Sequence, residues 1–316
     1  YTNTHVKAGN NVTVISGGDT TLKGGVIAAD SVVADIGGDL NIESLQDSSK
    51  FDSKQSSSGL NASLCIPPFC YGASTVGGSV SKSKVTGDFL SVLEQSGIKA
   101  GDGGFQVTVA GNPDLKGGLM SSSQVAVDQG NNVLMTGSLT ASDLQNKDEF
   151  SASGFSLSGS VSGSLGDQKP PPGKLSEDQQ KAAAAGGKPT ASAGVGSASG
   201  SQSSTTFSGI SGGLVVITDQ TKQLATGKNA EAAAASVSRE VTTETADAST
   251  LAKGWDASRL QKDIDSQVAI TQEFSKQAPK AIADFADKQI EALVKRGATS
   301  EEIEKWKDGG IYRVAL

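Results

Sequence analysis

Apolar residues return along this chain at a fixed interval. Val12 and Val32 are 20 positions apart, as are Leu22 and Ile42, and later Val107 and Val127, and Leu115 and Met135. Between these marks lie short alternating runs such as Phe105, Val107, Val109, separated by Gly/Asn/Asp corners at Gly9-Asn10, Gly17-Gly18-Asp19, Gly37-Gly38-Asp39 and Gly111-Asn112-Pro113-Asp114. A period near 20 residues with two short strands per repeat predicts a parallel β-solenoid, because each coil buries its inward side chains only by stacking on the next. The expected stacks are Val107 on Val127 and Leu115 on Met135. The two blocks also repeat each other. Leu22-Lys23-Gly24-Gly25 recurs as Leu115-Lys116-Gly117-Gly118, and Leu45-Gln46-Asp47 answers Leu144-Gln145-Asn146.

Two stretches leave this period, each following one block. Over 50–88, Leu60, Ala62 and Leu64 alternate with polar residues before Cys65, and Val76, Val80 and Val85 follow after Cys70. Over 150–207, Phe155, Leu157, Gly159, Val161, Gly163 and Leu165 alternate with Ser and pair with Ala191, Ala193 and Val195. Both read as projecting antiparallel β-hairpins with half-buried strands. The Pro-rich insert from Gln168 to Pro189 reads as a tip too polar to pack. Strands of this length and alternation also match a membrane-spanning β-hairpin, but an extended hairpin lying along its own solenoid is the preferred reading.

After a last buried strand at 210–219 the spacing becomes helical. A helix is predicted over 229–240. A long one over 258–296 has one face made of Leu260, Ile264, Val268, Thr271, Phe274, Ala278, Ile282, Phe285, Gln289 and Leu293. Pro279 should kink or split it, Gly297 stops it, and Thr299 with Glu302 offers a capping box. The expected fold class is therefore mainly β: a solenoid over 1–219 carrying two hairpins, then an α-helical segment over 220–316.

Composition narrows the function. Hydrophobic residues make up 36% and aromatics 4%, thin for a globular enzyme core, and 39 glycines supply the corners. A net charge of -7 with dispersed Lys and Arg disfavours nucleic acid. No apolar run reaches the roughly 18 residues of a spanning helix. The chain opens without an initiator Met or signal peptide, which reads as an internal piece of a longer protein. Cys65 and Cys70 flank Ile-Pro-Pro-Phe and read as a disulfide clamping a hairpin tip in an oxidising compartment, in preference to free thiols or half a zinc site. The Gly-Gly-Asp corners resemble a calcium-binding nonapeptide repeat, but the spacing does not persist and turn chemistry accounts for them. His5, the sole histidine, assembles no catalytic triad. Asp263/Asp265 and Glu301/Glu302 sit on solvated helix positions, and Trp255 and Trp306 read as packing anchors. No catalytic, cofactor-binding or metal-binding residue is expected.

The segments 94–105 (EQSGIKAGDGGF), 205–213 (TTFSGISGG) and 306–316 (WKDGGIYRVAL), with the Leu-Lys-Gly-Gly turns, resemble the second haemagglutinin-repeat region of CdiA-type contact-dependent growth inhibition effectors. These are filamentous haemagglutinin-like two-partner-secretion exoproteins, and the region precedes the pretoxin and toxin. The resemblance implies a non-catalytic delivery segment, secreted to the surface of a Gram-negative bacterium through a cognate outer-membrane secretion partner. It also implies engagement of the target cell's outer membrane or its proteins, to help a C-terminal toxin across. The rival reading is a rigid stalk or adhesin segment mediating attachment.

Overall fold

The computed structural model describes residues 1–66, 74–163 and 189–315. The chain divides into two compact units, one of residues 1–50, 87–149 and 200–254, the other of 51–86, 150–199 and 255–316.

The first unit is built from successive passes of chain. Strands β1 (Thr4–Lys7), β2 (Asn11–Ser16) and β3 (Thr20–Lys23) make the first pass, and β4 (Gly25–Ile36) with β5 (Leu40–Glu43) the second. The chain then leaves through β6 (Gln46–Ser63) and β7 (Ser74–Val92) and returns as β8 (Gly97–Val109) and β9 (Pro113–Lys116). A fourth pass comprises β10 (Leu119–Ser121), helix α1 (Gln124–Gln129), β11 (Val133–Thr136) and β12 (Thr140–Ser142). A second departure, β13 (Leu144–Gly163) and β14 (Thr190–Thr206), precedes β15 (Gly209–Ile210) and β16 (Leu214–Ile217). Every recorded pairing between passes is parallel. β1 and β2 lie on β4, β4 on β8, β8 on β10 and β11, and these on β15 and β16. A second parallel sheet runs β3-β5-β9-β12. Ile27, Val32, Ile36, Leu40, Ile42, Ile98, Phe105, Val107, Leu115, Met120, Leu134 and Ile210 share one core.

In the first block the interval of 20 stands: Val12 pairs with Val32 and Leu22 with Ile42. In the second it does not. Val107 lies beside Leu134 and Leu115 beside Ala141, so Val127 and Met135 are not the stacking partners. The reason is α1, an insertion between β10 and β11. Ser123 caps it by accepting from the Ala126 amide, and Gly130 closes it in a left-handed conformation (φ 73°). Val127 falls on this helix, and Met135 turns outward, 45% exposed.

The Leu-Lys-Gly-Gly repeat marks the switch from one parallel sheet to the other. Gly24 and Gly117 both take left-handed backbone (φ 62° and 57°), which a residue with a Cβ adopts at a cost. The answering Leu45 and Leu144 pack where that Cβ would sit, at 2.6 and 2.7 Å, which ties the two repeated motifs into one local arrangement. The lysines act across passes: Glu43 lies between Lys23 (2.9 Å) and Lys116 (3.2 Å). The corners form a ladder, with the Asp39 amide donating to Asp19 Oδ1 and the Asn112 amide to Asp39 Oδ1, both at 2.8 Å.

Beyond β16 come α2 (Gln220–Ala225) and α3 (Ala230–Ala234). Gln223, fully buried, accepts from the Leu139 amide and donates toward the Leu139 carbonyl. The helix expected over 229–240 stops at Ala234. Its Ser-Val-Ser continuation turns away instead and bridges β15 through Ser238, with Ala233 and Val237 in the core.

The second unit contains the outer lengths of β6, β7, β13 and β14, which form one antiparallel sheet in the order β14-β13-β7-β6. Hydroxyls meet across it at 2.7 Å: Ser57 with Ser81, Ser158 with Ser192, Ser160 with Thr190. Helix α3 is followed in the chain by α4 (Ala257–Lys295), α5 (Ser300–Glu304) and α6 (Ile311–Ala315). Helix α4 runs unbroken through Pro279, so the expected split does not occur. Thr299 and Glu302 form the capping box, and Gly297 is left-handed (φ 75°). Trp306 packs edge-on against Phe285, centroids 5.8 Å apart.

Two expected outcomes follow from the first unit. At Gly118 an added Cβ would meet the Ile42 carbonyl at 2.7 Å, whereas at Gly25 it meets nothing closer than 3.7 Å. Gly118→Ala therefore lowers unfolding free energy in urea by about 1–3 kcal/mol, and Gly25→Ala changes it by less than about 0.5 kcal/mol. Lys23, then Lys116, holds the Glu43 carboxyl below the usual carboxylate range against the opposing effect of partial burial. A depressed folded-state pKa contributes stability above the unfolded value that is lost as pH falls through the folded one. Glu43→Gln thus costs less than about 1 kcal/mol at neutral pH, and the difference from wild type vanishes in acid unfolding curves taken below that folded-state pKa.

Candidate interaction surface

The antiparallel sheet has two chemically different faces, because successive side chains of a strand point to opposite sides. On one lies α4, seated on glycine and serine. A Cβ at Gly154 would stand 2.6 Å from Ile264 Cγ2, one at Gly194 2.3 Å from the Val268 carbonyl, and one at Gly196 2.9 Å from Gln267 Cβ. Gln272 bonds Ser156, Ser158 and Ser192 from above. The sequence reading thus placed burial on the wrong positions. Ser192 and Gly194 are covered, whereas Phe155, Leu157, Val161 and Val195 are 44%, 55%, 54% and 62% exposed. The predicted helix face is largely the covered one: Leu260, Ile264 and Leu293 are buried and Val268, Thr271, Ala278, Ile282 and Gln289 half-buried, but Phe274 is 72% exposed and Phe285 46%, and Ala286, outside that face, is buried.

The helix-free face gathers Phe155, Leu157, Val161 and Val195 with Leu60, Val76 and Val80 from the other hairpin, all exposed. Leu60, Gly78, Val80, Leu157 and Ala191 line a shallow depression on it. The strand segments that carry it, 55–63, 74–81, 151–163 and 190–199, contain no Asp, Glu, Lys or Arg. At Phe155 this face is bordered by Lys54, Lys82 and Lys84. A contiguous apolar patch rimmed by polar groups marks an interaction surface. The sequence showed each alternating strand, but not that both hairpins join one sheet.

The other singled-out residues lie elsewhere. His5 sits 3.2 Å from Glu94, and Lys99 lies 3.8 Å from Glu94 and 3.0 Å from Asp247, which is held left-handed (φ 67°) while accepting from the Gln95 amide. Asp263 faces Arg259, Asp265 accepts from Gln261, and Glu302 belongs to the capping box. Trp255 is buried. Among the described residues no group of three or more His, Cys, Asp or Glu is placed to hold a metal ion. No helix among them is long and apolar enough to cross a membrane, which says nothing of crossing by strands. Cys65 is buried and donates its amide to Ser74 Oγ at 3.0 Å. Cys70 and most of the Pro-rich insert (168–188) lie outside the described residues.

Comparison with known proteins adds two findings. Residues 1–59 match the Hemagglutinin repeat family. The chain is 36% identical over 227 residues to Toxin CdiA of Escherichia coli, covering 71% of this chain and 7% of that protein. It is 35% identical over 225 residues to Deoxyribonuclease CdiA of Dickeya dadantii (71% and 6%), and 27% identical over 305 residues to tRNA nuclease CdiA of Yersinia mollaretii (96% and 9%). The chain thus spans less than a tenth of these relatives' length. No solved structure matches it.

Proposed function

We propose a delivery role for this chain, which belongs to the hemagglutinin-repeat regions of CdiA toxins. In this reading it is a non-catalytic segment of a secreted contact-dependent growth inhibition exoprotein, exported through an outer-membrane partner. It engages the outer membrane of the target cell and helps a toxin located elsewhere in the polypeptide to cross. The nuclease activities in the relatives' names belong, on this reading, to such distal toxins. The parallel passes are the coils of a solenoid that carries the antiparallel sheet, and Cys65 pairs with Cys70 to close the tip of the β6–β7 hairpin.

The observation that supports membrane engagement is the helix-free face: seven exposed apolar side chains on outer strand segments that carry no charge. Transfer of such side chains into a lipid interface is favourable at about 25 cal/mol per Å² of apolar area, and only strands that satisfy their backbone by pairing can follow them deeper. The stacked parallel passes favour the second reading, a stalk or adhesin that serves attachment alone.

The two are separated by experiment. Replacing Leu60, Phe155 and Leu157 by Ser reduces flotation of the chain with outer-membrane lipid vesicles about tenfold if the face meets lipid. In the full-length effector, deletion of 50–88 or 150–207 then abolishes toxin entry and leaves target-cell attachment intact. Loss of attachment, with vesicle binding unchanged by the substitutions, favours the adhesin. The tip disulfide predicts no alkylatable thiol before reduction.

A further inference from the structure

Strand β14 lies at one end of the four-stranded sheet, so its outer backbone groups have no strand beside them. They are nevertheless bonded. The amide of Ala193 donates to Ser275 Oγ (2.9 Å), that of Val195 to Thr271 Oγ1 (2.7 Å) and that of Ser197 to Gln267 Oε1 (3.0 Å). Alternate amides of a strand are about 6.8 Å apart, and side chains four apart on a helix about 6 Å, so the two rows run in step and in opposite directions. At Val195 the imitation extends to both groups, since the Thr271 hydroxyl is also within 2.8 Å of the Val195 carbonyl. Helix α4 therefore occupies the edge with side-chain oxygens in the place of a neighbouring strand's carbonyls.

We infer that β14 is a strand-accepting edge held closed by α4, and that its partner on release is the β6 edge of a second copy of this chain. Natural sheets guard their edges with lysine, proline or a covering element. β14 has no charged residue and no proline over its 17 residues, and its guard is the helix. At the opposite end of the sheet, β6 from Gln55 to Ser63 is exposed and equally without charge or proline. The sheet has four strands that alternate in direction, so a second copy's β6 laid along β14 runs antiparallel, and the alternation continues through the joint without a break. Such a contact is heterologous and propagates into a ring or a longer sheet. Where α4 meets β14 its seat is Gly194, Gly196 and Ser192, so lifting the stretch 267–275 from the edge uncovers little apolar area, while Leu260 and Ile264 remain buried nearer the start of the helix. The inference stands apart from the delivery role: it concerns what the edge pairs with, in water as well as at a membrane.

The test uses the whole chain, as Thr271→Val and as the triple variant Gln267→Ala/Thr271→Val/Ser275→Ala. Hydrogen exchange is read at the amides of Ala193, Val195 and Ser197, with 32–36 in the core as a folding control, and mass is read by light scattering against concentration. Exchange at Val195 should rise about tenfold in Thr271→Val and at all three amides in the triple variant, with the core unchanged. The triple variant should form concentration-dependent assemblies that Ser58→Lys on β6 abolishes. Unchanged exchange would overturn the helix as the guard of this edge. Faster exchange in a chain that stays monomeric, or assemblies that persist with Ser58→Lys, would overturn β6 as the partner. If the triple variant does not fold, Thr271→Val alone carries both readings at raised concentration.

Discussion

Every backbone amide and carbonyl in a strand needs a partner, and between neighbouring strands of the first unit that partner is supplied by another pass of the same chain. The need fixes register more firmly than sequence distance does. Asp39 bonds the corresponding residue of the previous pass 20 positions before it, and that of the next pass 73 positions after it. The chain between β5 and β8 therefore has to depart and come back to a set address. Both excursions obey this condition, leaving after the repeated Leu-Gln and returning at glycine, Gly97 or Gly209, where the backbone rejoins a parallel neighbour. Insertions of very different length fit because the passes on either side of them are already complementary.

This explains what could be read in advance. Val12 with Val32 and Leu22 with Ile42 were legible because nothing interrupts the first two passes. The repeated Leu-Lys-Gly-Gly was legible because left-handed backbone and a packed leucine restrict the same four positions twice. The second interval of 20 was a coincidence of spacing. Asn132 bonds the amide of Phe105, 27 positions before it, because α1 intervenes, and the signs of that helix, Ser123 at its start and Gly130 at its end, are common in a chain this rich in serine and glycine.

The second unit misled for the opposite reason. In the first, apolar side chains mark the interior, since Ile, Val, Leu and Phe fill the space between two sheets. In the outer hairpin lengths 155–163 and 190–199 the interior is the serine and glycine side and the larger residues face out, whereas Val85, nearer the base, is fully buried. Hydropathy alternation reports that a strand has two faces, not which of them is covered. What decides here is distance: the backbone of α4 comes so near β14 that the Val268 carbonyl lies 2.3 Å from where a Cβ on Gly194 would be. Only glycine permits that approach, and only at that approach do Gln267, Thr271 and Ser275 reach the edge.

The two units are consequently held by different forces. Removing the core of the first exposes large apolar side chains, and each fully buried Val, Leu, Ile or Phe contributes about 1.5–3 kcal/mol. Separating the 267–275 stretch of α4 from β14 exposes mainly hydroxyls, amides and glycine backbone, whose protein hydrogen bonds are worth about 0.5–1.5 kcal/mol each once water competes for them. An arrangement of the second kind gives geometric specificity with little hydrophobic adhesion. It keeps an edge and a face apart from other chains while the helix is in place, and it asks little energy of whatever displaces the helix. The asymmetry lies in the residues themselves: a chain with 39 glycines spends some on corners that lock a core and others on a seat from which a helix can rise.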